Sequence, residues 1–179
     1  MKKLLALLFP LFLMAQHPAD NDVKKLYIAF HDIDIDFLAE RLCSSMSESE
    51  LYGKLDEYFL NDTQKFRYVQ TNAKYNYSDA FTEGDVTYHP IQFRNVVRIT
   101  FFKPIDVAST QAKLQLDFGA QSITYDKTRN AFLIVYQAKM VAYQQNGVWK
   151  FAILDSTIPR SITQGCLSPA VKSKAGLNG

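Results

Sequence analysis

The densest run of ligand-type side chains in this sequence is the alternation of carboxylates at Asp32, Asp34 and Asp36. Carboxylates at this spacing open the calcium loop of EF-hands, which also requires Gly at its sixth position and Glu at its twelfth. Counted from Asp32, those positions hold Phe37 and Cys43, so the calcium interpretation fails twice. Short polar side chains before an apolar run instead predict helix capping, with Asp34 or Asp36 as the N-cap.

The remaining residue types suggest no metal or nucleotide chemistry. His17, His31 and His89 are far apart along the chain, and each of the two Cys residues stands alone. The sequence contains no C-x-x-C or H-E-x-x-H zinc pattern, no phosphate-binding glycine loop and no G-x-S-x-G nucleophile motif. We therefore expect no metal, no cofactor and neither a nucleotide-dependent enzyme nor an α/β-hydrolase.

Two side chains stand where they could perform acid–base chemistry at the mouth of a cavity. His31 lies near the end of the first predicted helix, and Asp155 follows the last predicted strand. Imidazole and carboxylate groups transfer protons when a pocket positions them against a substrate. The alternative for His31 is a solvated group at a helix end, so an enzyme is the second interpretation rather than the first.

Aromatic and guanidinium side chains give the stronger indication of a pocket. Tyr136 lies on the more apolar side of a long predicted strand, Trp149 lies on the last strand, and Arg98 lies on an earlier one. One interpretation places these side chains on a cavity wall that accepts a small hydrophobic or anionic ligand, with Arg98 pairing with the anion. The alternative makes the aromatic residues core and leaves Arg94 and Arg98 on a solvated face.

The beginning of the chain resembles a secretory signal. Lys2 and Lys3 precede an apolar run over residues 4–14, which is too short to span a bilayer. Cleavage after Ala15 would leave a mature chain starting at Gln16, and no Cys stands directly after the cut to carry a lipid anchor. We expect export to a periplasmic or extracellular location. The alternative is an apolar N-terminal helix packed on the domain.

The composition and the net charge of the chain argue against several classes of protein. Apolar residues make up 47% and charged residues 21%, which is a globular balance and excludes a disordered or fibrous chain. The full chain has 20 basic and 18 acidic residues, so loss of Lys2 and Lys3 leaves a formally neutral protein. A nucleic-acid binder normally carries a basic excess, so we expect no nucleic-acid partner. No second apolar stretch is long enough to cross a membrane in the mature chain.

An oxidising compartment would permit a disulfide between Cys43 and Cys166. Closing so long a loop could stabilise the fold by roughly 2–4 kcal/mol. The alternative is that both residues are small buried apolar groups.

The elements that must position these residues are helices followed by strands. Periodicity and capping signals predict helices over 22–31, 37–42, 47–60 and 107–118. Alternation predicts strands over 65–77, 85–89, 91–102, 121–125, 131–143 and 148–154, with a break or bulge at Pro90 and a hairpin at Asn146-Gly147. The strand over 131–143 has two apolar faces, which indicates burial on both sides, as in a sheet that mediates self-association. The order predicts an α+β fold with helices packed on a mostly antiparallel sheet.

Two segments resemble nuclear transport factor 2-like domains, including the polyketide-cyclase (SnoaL-type) group. Residues 29–39 (AFHDIDIDFLA) are similar to their opening helix, turn and Leu-Ala step, and residues 146–151 (NGVWKF) are similar to their closing strand. The resemblance implies a curved sheet wrapped on helices into a cone with a pocket, and often a dimer through the sheet. The helix over 107–118, between strands, departs from that family's pattern.

Together these observations predict a signal peptide over 1–15, a single domain over 16–163 and a flexible tail over 164–179. The fold hosts enzymes, binding modules and assembly adaptors, so it does not decide the activity. The first hypothesis is an exported, non-catalytic domain that binds a small ligand or a protein partner. The alternative is a small cone-fold enzyme, of isomerase, cyclase or hydrolase type, with acid–base chemistry in a hydrophobic pocket.

Overall fold

The computed structural model describes residues 17–69, 73–153, 160–163 and 165–176, which form an α+β fold with one antiparallel sheet. The helices are α1 Asp20–Asp32, α2 Ile35–Arg41, α3 Glu48–Phe59, α4 Val107–Phe118, α5 Arg160–Thr163 and α6 Pro169–Lys174. The strands are β1 Gln64–Tyr68, β2 Tyr75–Tyr77, β3 Phe81–Glu83, β4 Val86–Phe101, β5 Ser122–Asp126, β6 Ala131–Gln145 and β7 Val148–Ile153. The predicted signal peptide and Asp155 lie outside the described residues. None of the described helices is both long and apolar enough to cross a membrane.

Local sequence explains why the first helices begin and end where they do. α1 ends at Ile33, whose φ of 60° is left-handed, and the Asp34 side chain then accepts a hydrogen bond from the Phe37 N–H at 3.0 Å to open α2. Ser47 and Glu50 form the reciprocal capping box predicted for α3. The aspartate run therefore caps a helix.

Two long strands, β4 and β6, carry the sheet. They pair along thirteen residues, from Tyr88 opposite Tyr143 to Thr100 opposite Ala131. β1, β2 and β3 pair with the other edge of β4, while β5 and β7 pair with the other edge of β6. The Asn146-Gly147 turn joins β6 to β7, and both of its residues have the positive φ expected of a tight hairpin.

The predicted break at Pro90 is wrong, because β4 runs through it as one strand. The Pro90 carbonyl accepts a hydrogen bond from the Ser78 N–H at 3.0 Å, on the side of β4 away from β6. Proline has no N–H. At position 90 an N–H would point to that same side, between the end of β2 and the start of β3, where neither strand pairs with β4. The ladder between β4 and β6 is therefore uninterrupted.

The core lies between one face of this sheet and helices α1 to α4, and we call that face the inner face. Its central positions are Ile91, Phe93, Asn95, Val97 and Ile99 on β4, and Phe132, Ile134, Tyr136, Ala138 and Met140 on β6. All are buried, as predicted for that side of β6. The predicted bounds of α4 agree with the structure, and its Phe118 ring lies against Tyr136 with centroids 5.3 Å apart.

The segment predicted as a flexible tail instead contains a docked helix. Leu167 and Val171 are buried against Val141 and Ala152, on the side of the sheet opposite the main core. Cys43 and Cys166 are joined in a disulfide, which ties this segment to the chain after α2. The prediction missed α6 because a six-residue helix is too short to show periodicity, although Ser168 and Pro169 form a recognisable N-terminus.

Candidate functional site

Among the described residues, the space between α1 and the inner face is filled rather than hollow. Between α1 and the inner face the structure leaves a cavity of about 10 Å³, enough for about one water molecule. Its walls are mainly aromatic and aliphatic, and include Tyr27, Phe30, Tyr68 and Phe93. No small organic molecule fits there without movement of core side chains.

A buried polar network occupies the centre of this interior. The Tyr27 hydroxyl donates to Asn95 Oδ1 at 2.5 Å, and Asn95 Nδ2 donates to the Tyr136 hydroxyl at 2.5 Å. Asn95 Oδ1 also accepts from the Val96 N–H at 2.8 Å, and the Asn95 residue is only 1% exposed. The candidate residue Tyr136 is therefore part of the core. Sequence reasoning missed Asn95, whose signal was an amide at an inward position of an otherwise apolar alternation.

Arg98 and Tyr136 do not share a cavity wall, which corrects the prediction that they could. Tyr136 pairs with Asn95 and faces inward, whereas Arg98 pairs with Leu133 and faces the opposite side of the sheet. Successive residues of a strand alternate between faces, so positions 95 and 98 cannot point the same way. The arginine belongs to the outer face, as in the solvated alternative.

The outer face has an apolar centre surrounded by cations. Val69, Val96 and Val135 form one row across three strands, and Leu133 lies in the next row beside Arg98. Five cationic residues occupy the outward positions around them: Lys65, Arg67, Arg94, Arg98 and Lys139. The outward positions of β1, β4 and β6 in these rows carry no carboxylate, whereas Asp126 of β5 lies in the row of Lys65 and pairs with Arg129. α6 covers the far end of this face, beyond Lys139, and no other described helix packs on it.

Two arginines face each other directly on this surface, which is unfavourable for an isolated sheet. Arg67 and Arg98 are register partners on β1 and β4. Arg67 turns its guanidinium to the sheet edge and donates to the Phe59 and Phe66 carbonyls at 3.2 and 2.7 Å, and burial lowers its pKa. Arg98 and the exposed Arg94 make no hydrogen bond or ion pair with the described residues. Two uncompensated guanidinium groups are therefore available to an anion.

Trp149 lies at a second surface site, where the β3–β4 and β6–β7 hairpins end beside the start of α1. A surface depression of about 500 Å³ is lined there by Pro18, Asp85, Val86, Thr87, His89, Gln144, Gly147 and Trp149, and we call it the Trp149 depression. The Trp149 indole is 8% exposed and meets the His89 ring edge to face at 5.4 Å. Of the pocket candidates that the structure describes, only Trp149 lines this depression.

A histidine pair supports the wall of the Trp149 depression. The Ala19 N–H donates to His17 Nδ1 at 3.2 Å, so the His17 Nε2–H donates to His89 Nδ1 at 3.1 Å. His17 also stacks on Tyr77 with centroids 3.9 Å apart, and the Tyr77 hydroxyl donates to Asp20 at 3.0 Å. Burial lowers the pKa of both histidines, and for His17 the neighbouring imidazole lowers it further. Both rings are therefore uncharged at neutral pH.

The candidate residue His31 lies elsewhere. His31 is half-exposed at the end of α1, where its Nδ1 contacts Asp32 Oδ1 at 2.7 Å. It lines neither the interior cavity nor the Trp149 depression. Among the described residues no group of three His, Cys, Asp or Glu side chains is placed to hold a metal ion.

Comparison with known proteins identifies no relative of this chain. No family model, no curated protein and no solved structure matches it.

Proposed function

We propose that the protein is an exported, non-catalytic binding domain that recognises an acidic protein partner through the open part of its outer face. The observation that carries this proposal is the set of five cations in the rows on both sides of the valine row, with no carboxylate at the outward positions of β1, β4 and β6. Interfaces are typically apolar at the centre and polar at the rim, and Arg is enriched in them. The Arg98 and Arg94 guanidinium groups would pair with carboxylates of the partner.

The distribution of charge favours a different protein over a second copy of the chain. Residues 20–59, which hold the first three helices, have ten acidic and four basic residues, although the mature chain is neutral. The outer face holds the opposite charge. A symmetric dimer through that face would place arginines of one copy against arginines of the other, which costs several kcal/mol. The dimer implied by the family resemblance is therefore the alternative that the experiment must exclude.

Packing in the interior supports binding over catalysis. The alternative enzyme would need a pocket that holds a buried acid–base group beside its substrate. A cavity of about 10 Å³ cannot enclose a substrate, and its central polar groups are committed to the Tyr27–Asn95–Tyr136 network. Binding of a partner at the surface requires neither an enclosed pocket nor a buried acid–base group.

The proposal also includes membership of the nuclear transport factor 2-like family and export of the protein. Helices that precede an antiparallel sheet and pack on one face of it support a nuclear transport factor 2-like cone, as do the motifs at residues 29–39 and 146–151. Support for export comes from the disulfide together with the apolar run at residues 4–14.

Binding to poly-L-glutamate tests the acidic-partner proposal. We expect the mature protein to bind this probe with an affinity that falls as salt rises, and the Arg94→Glu/Arg98→Glu variant to bind at least about tenfold more weakly. The matched control, Lys25→Glu/Lys127→Glu, makes the same charge change at exposed positions elsewhere and should keep most of the affinity. Equal weakening in both variants would show a general charge effect and overturn the proposal.

Sedimentation at micromolar to millimolar protein tests the second-copy alternative. We expect a monomer in both the wild type and the Arg94→Glu/Arg98→Glu variant. A wild-type dimer that the substitutions dissociate would assign the outer face to self-association.

Tighter binding to dextran sulfate than to poly-L-glutamate at equal charge would indicate a polyanion site in place of a protein site.

A further inference from the structure

The Trp149 depression is an independent site, because it lies at the ends of two hairpins and shares no residue with the valine row or the five cations of the outer face. The β3–β4 hairpin contributes Asp85, Thr87 and His89, and the β6–β7 hairpin contributes Gln144 and Trp149. At about 500 Å³ it is large enough for a small ligand, whereas the interior cavity is not.

The walls of the depression favour a positive ligand. Asp85 is exposed, makes no described hydrogen bond or ion pair, and is the only carboxylate among the described residues of the lining. No Lys or Arg is among the described residues that line the depression, and His89 is uncharged at neutral pH because burial lowers its pKa. The local charge is therefore negative.

Trp149 adds the aromatic component that an organic cation needs. The face of an indole carries negative electrostatic potential and is the best aromatic partner for ammonium and guanidinium groups. Its ring orientation is held by the His89 contact, which the His17 hydrogen bond fixes in turn. We propose that the Trp149 depression binds a small organic cation, with Asp85 pairing with the charge and Trp149 contacting the apolar groups around it.

Other ligand classes fit the same walls less well. An anion would meet the Asp85 carboxylate and find no cationic side chain. A metal ion would find His17 and His89 but no third ligand among the described residues. A neutral sugar could stack on Trp149, yet it would leave Asp85 without a charge partner, so it serves as the discriminating control.

Intrinsic fluorescence reports on this site alone, because Trp149 is the only tryptophan in the chain. The mature protein is titrated with choline chloride and excited beyond the tyrosine absorption, with sodium chloride as the ionic-strength control. We expect a saturable change with choline and none with sodium chloride, sodium acetate or glucose. No saturable change with choline, or an equal change with glucose, would overturn the proposal.

Three substitutions locate the charge contribution without disturbing the core. Asp85→Asn should weaken choline binding about threefold to fivefold, the range expected for one solvent-accessible ion pair. Gln144→Glu adds a carboxylate to the same rim and should strengthen binding by a similar factor. Asp62→Asn, an exposed position outside the depression, should leave the affinity unchanged. If Asp85→Asn and Gln144→Glu both bind like wild type, the proposed role of charge is wrong.

Discussion

Asn95 is the residue whose loss should damage the fold most for its size. It donates to Tyr136, accepts from Tyr27 and Val96, and is buried at the centre of the sheet. Asn95→Ala removes three hydrogen bonds and leaves a void, so we expect the free energy of unfolding to fall by about 2–4 kcal/mol. Urea unfolding measures this loss.

The matched control for Asn95 is Asn76→Ala, at an exposed position of β2. We expect that change to alter the free energy of unfolding by no more than about 0.5 kcal/mol. A loss below about 1 kcal/mol for Asn95→Ala would mean that the Tyr27–Asn95–Tyr136 network contributes little to the free energy of unfolding.

The histidine pair makes stability depend on pH. In the folded protein both Nδ1 atoms accept hydrogen bonds, and burial lowers both pKa values below the ordinary 6.5. The unfolded chain therefore binds protons first as pH falls, and the stabilisation that is complete above about pH 6.5 is lost progressively below it. We expect the urea midpoint to decline between about pH 7 and pH 5.

Replacing one of the two histidines tests whether the pair causes the decline of the urea midpoint at low pH. His89→Gln should flatten the pH dependence of the urea midpoint. The same replacement at His31, outside this contact, should keep the decline. A wild-type profile for His89→Gln would assign the pH dependence to other groups.

At the scale of elements, two glycines should respond oppositely to the same substitution. Gly147 has a φ of 76° in the β6–β7 turn, so Gly147→Ala should destabilise the protein by about 1–2 kcal/mol through backbone strain. Gly53 lies exposed within α3, so Gly53→Ala should stabilise it by about 0.5–1 kcal/mol. A Cβ at either position meets nothing within 4 Å, which leaves the backbone as the difference. Thermal or urea unfolding of both variants checks the two signs.

The elements were predictable where the signal is local. The capping box of α3, the bounds of α4 and the β6–β7 turn each follow from a few adjacent residues. Pro90 was misjudged because its tolerance depends on where β2 and β3 end along a neighbouring edge. Arg98 and Tyr136 were placed together because the face of each strand follows only from its pairing register, which one strand does not reveal.

The candidate site was harder to predict than the fold for the same reason. His17 and His89 are 72 positions apart in sequence, and only the approach of α1 to the edge of the sheet brings them into contact. Trp149 was identified from its residue type alone. The cationic outer face required knowledge of which side of the sheet the helices cover.

At the scale of the whole molecule, the two faces of the sheet are covered in different ways. Helices α1 to α4 cover the inner face with a large core, whereas among the described residues α6 and the disulfide segment cover one end of the outer face. The apolar outward side of β6, which indicated self-association, is thus partly satisfied within the chain, because Val141 packs on Val171. The charged remainder stays open.

The Cys43–Cys166 disulfide should therefore hold the C-terminal segment to the sheet. It closes a separation of 123 residues, so the Cys43→Ser/Cys166→Ser variant should lose about 2–4 kcal/mol of stability. Because α6 has six residues and a small apolar contact, we expect it to detach locally before the main core unfolds. Hydrogen exchange would then speed up in residues 165–176 and in the outward amides near Val141, while β4 amides in the main core stay protected. Uniform acceleration across the chain would contradict this, and would mean that the two cores unfold as one unit.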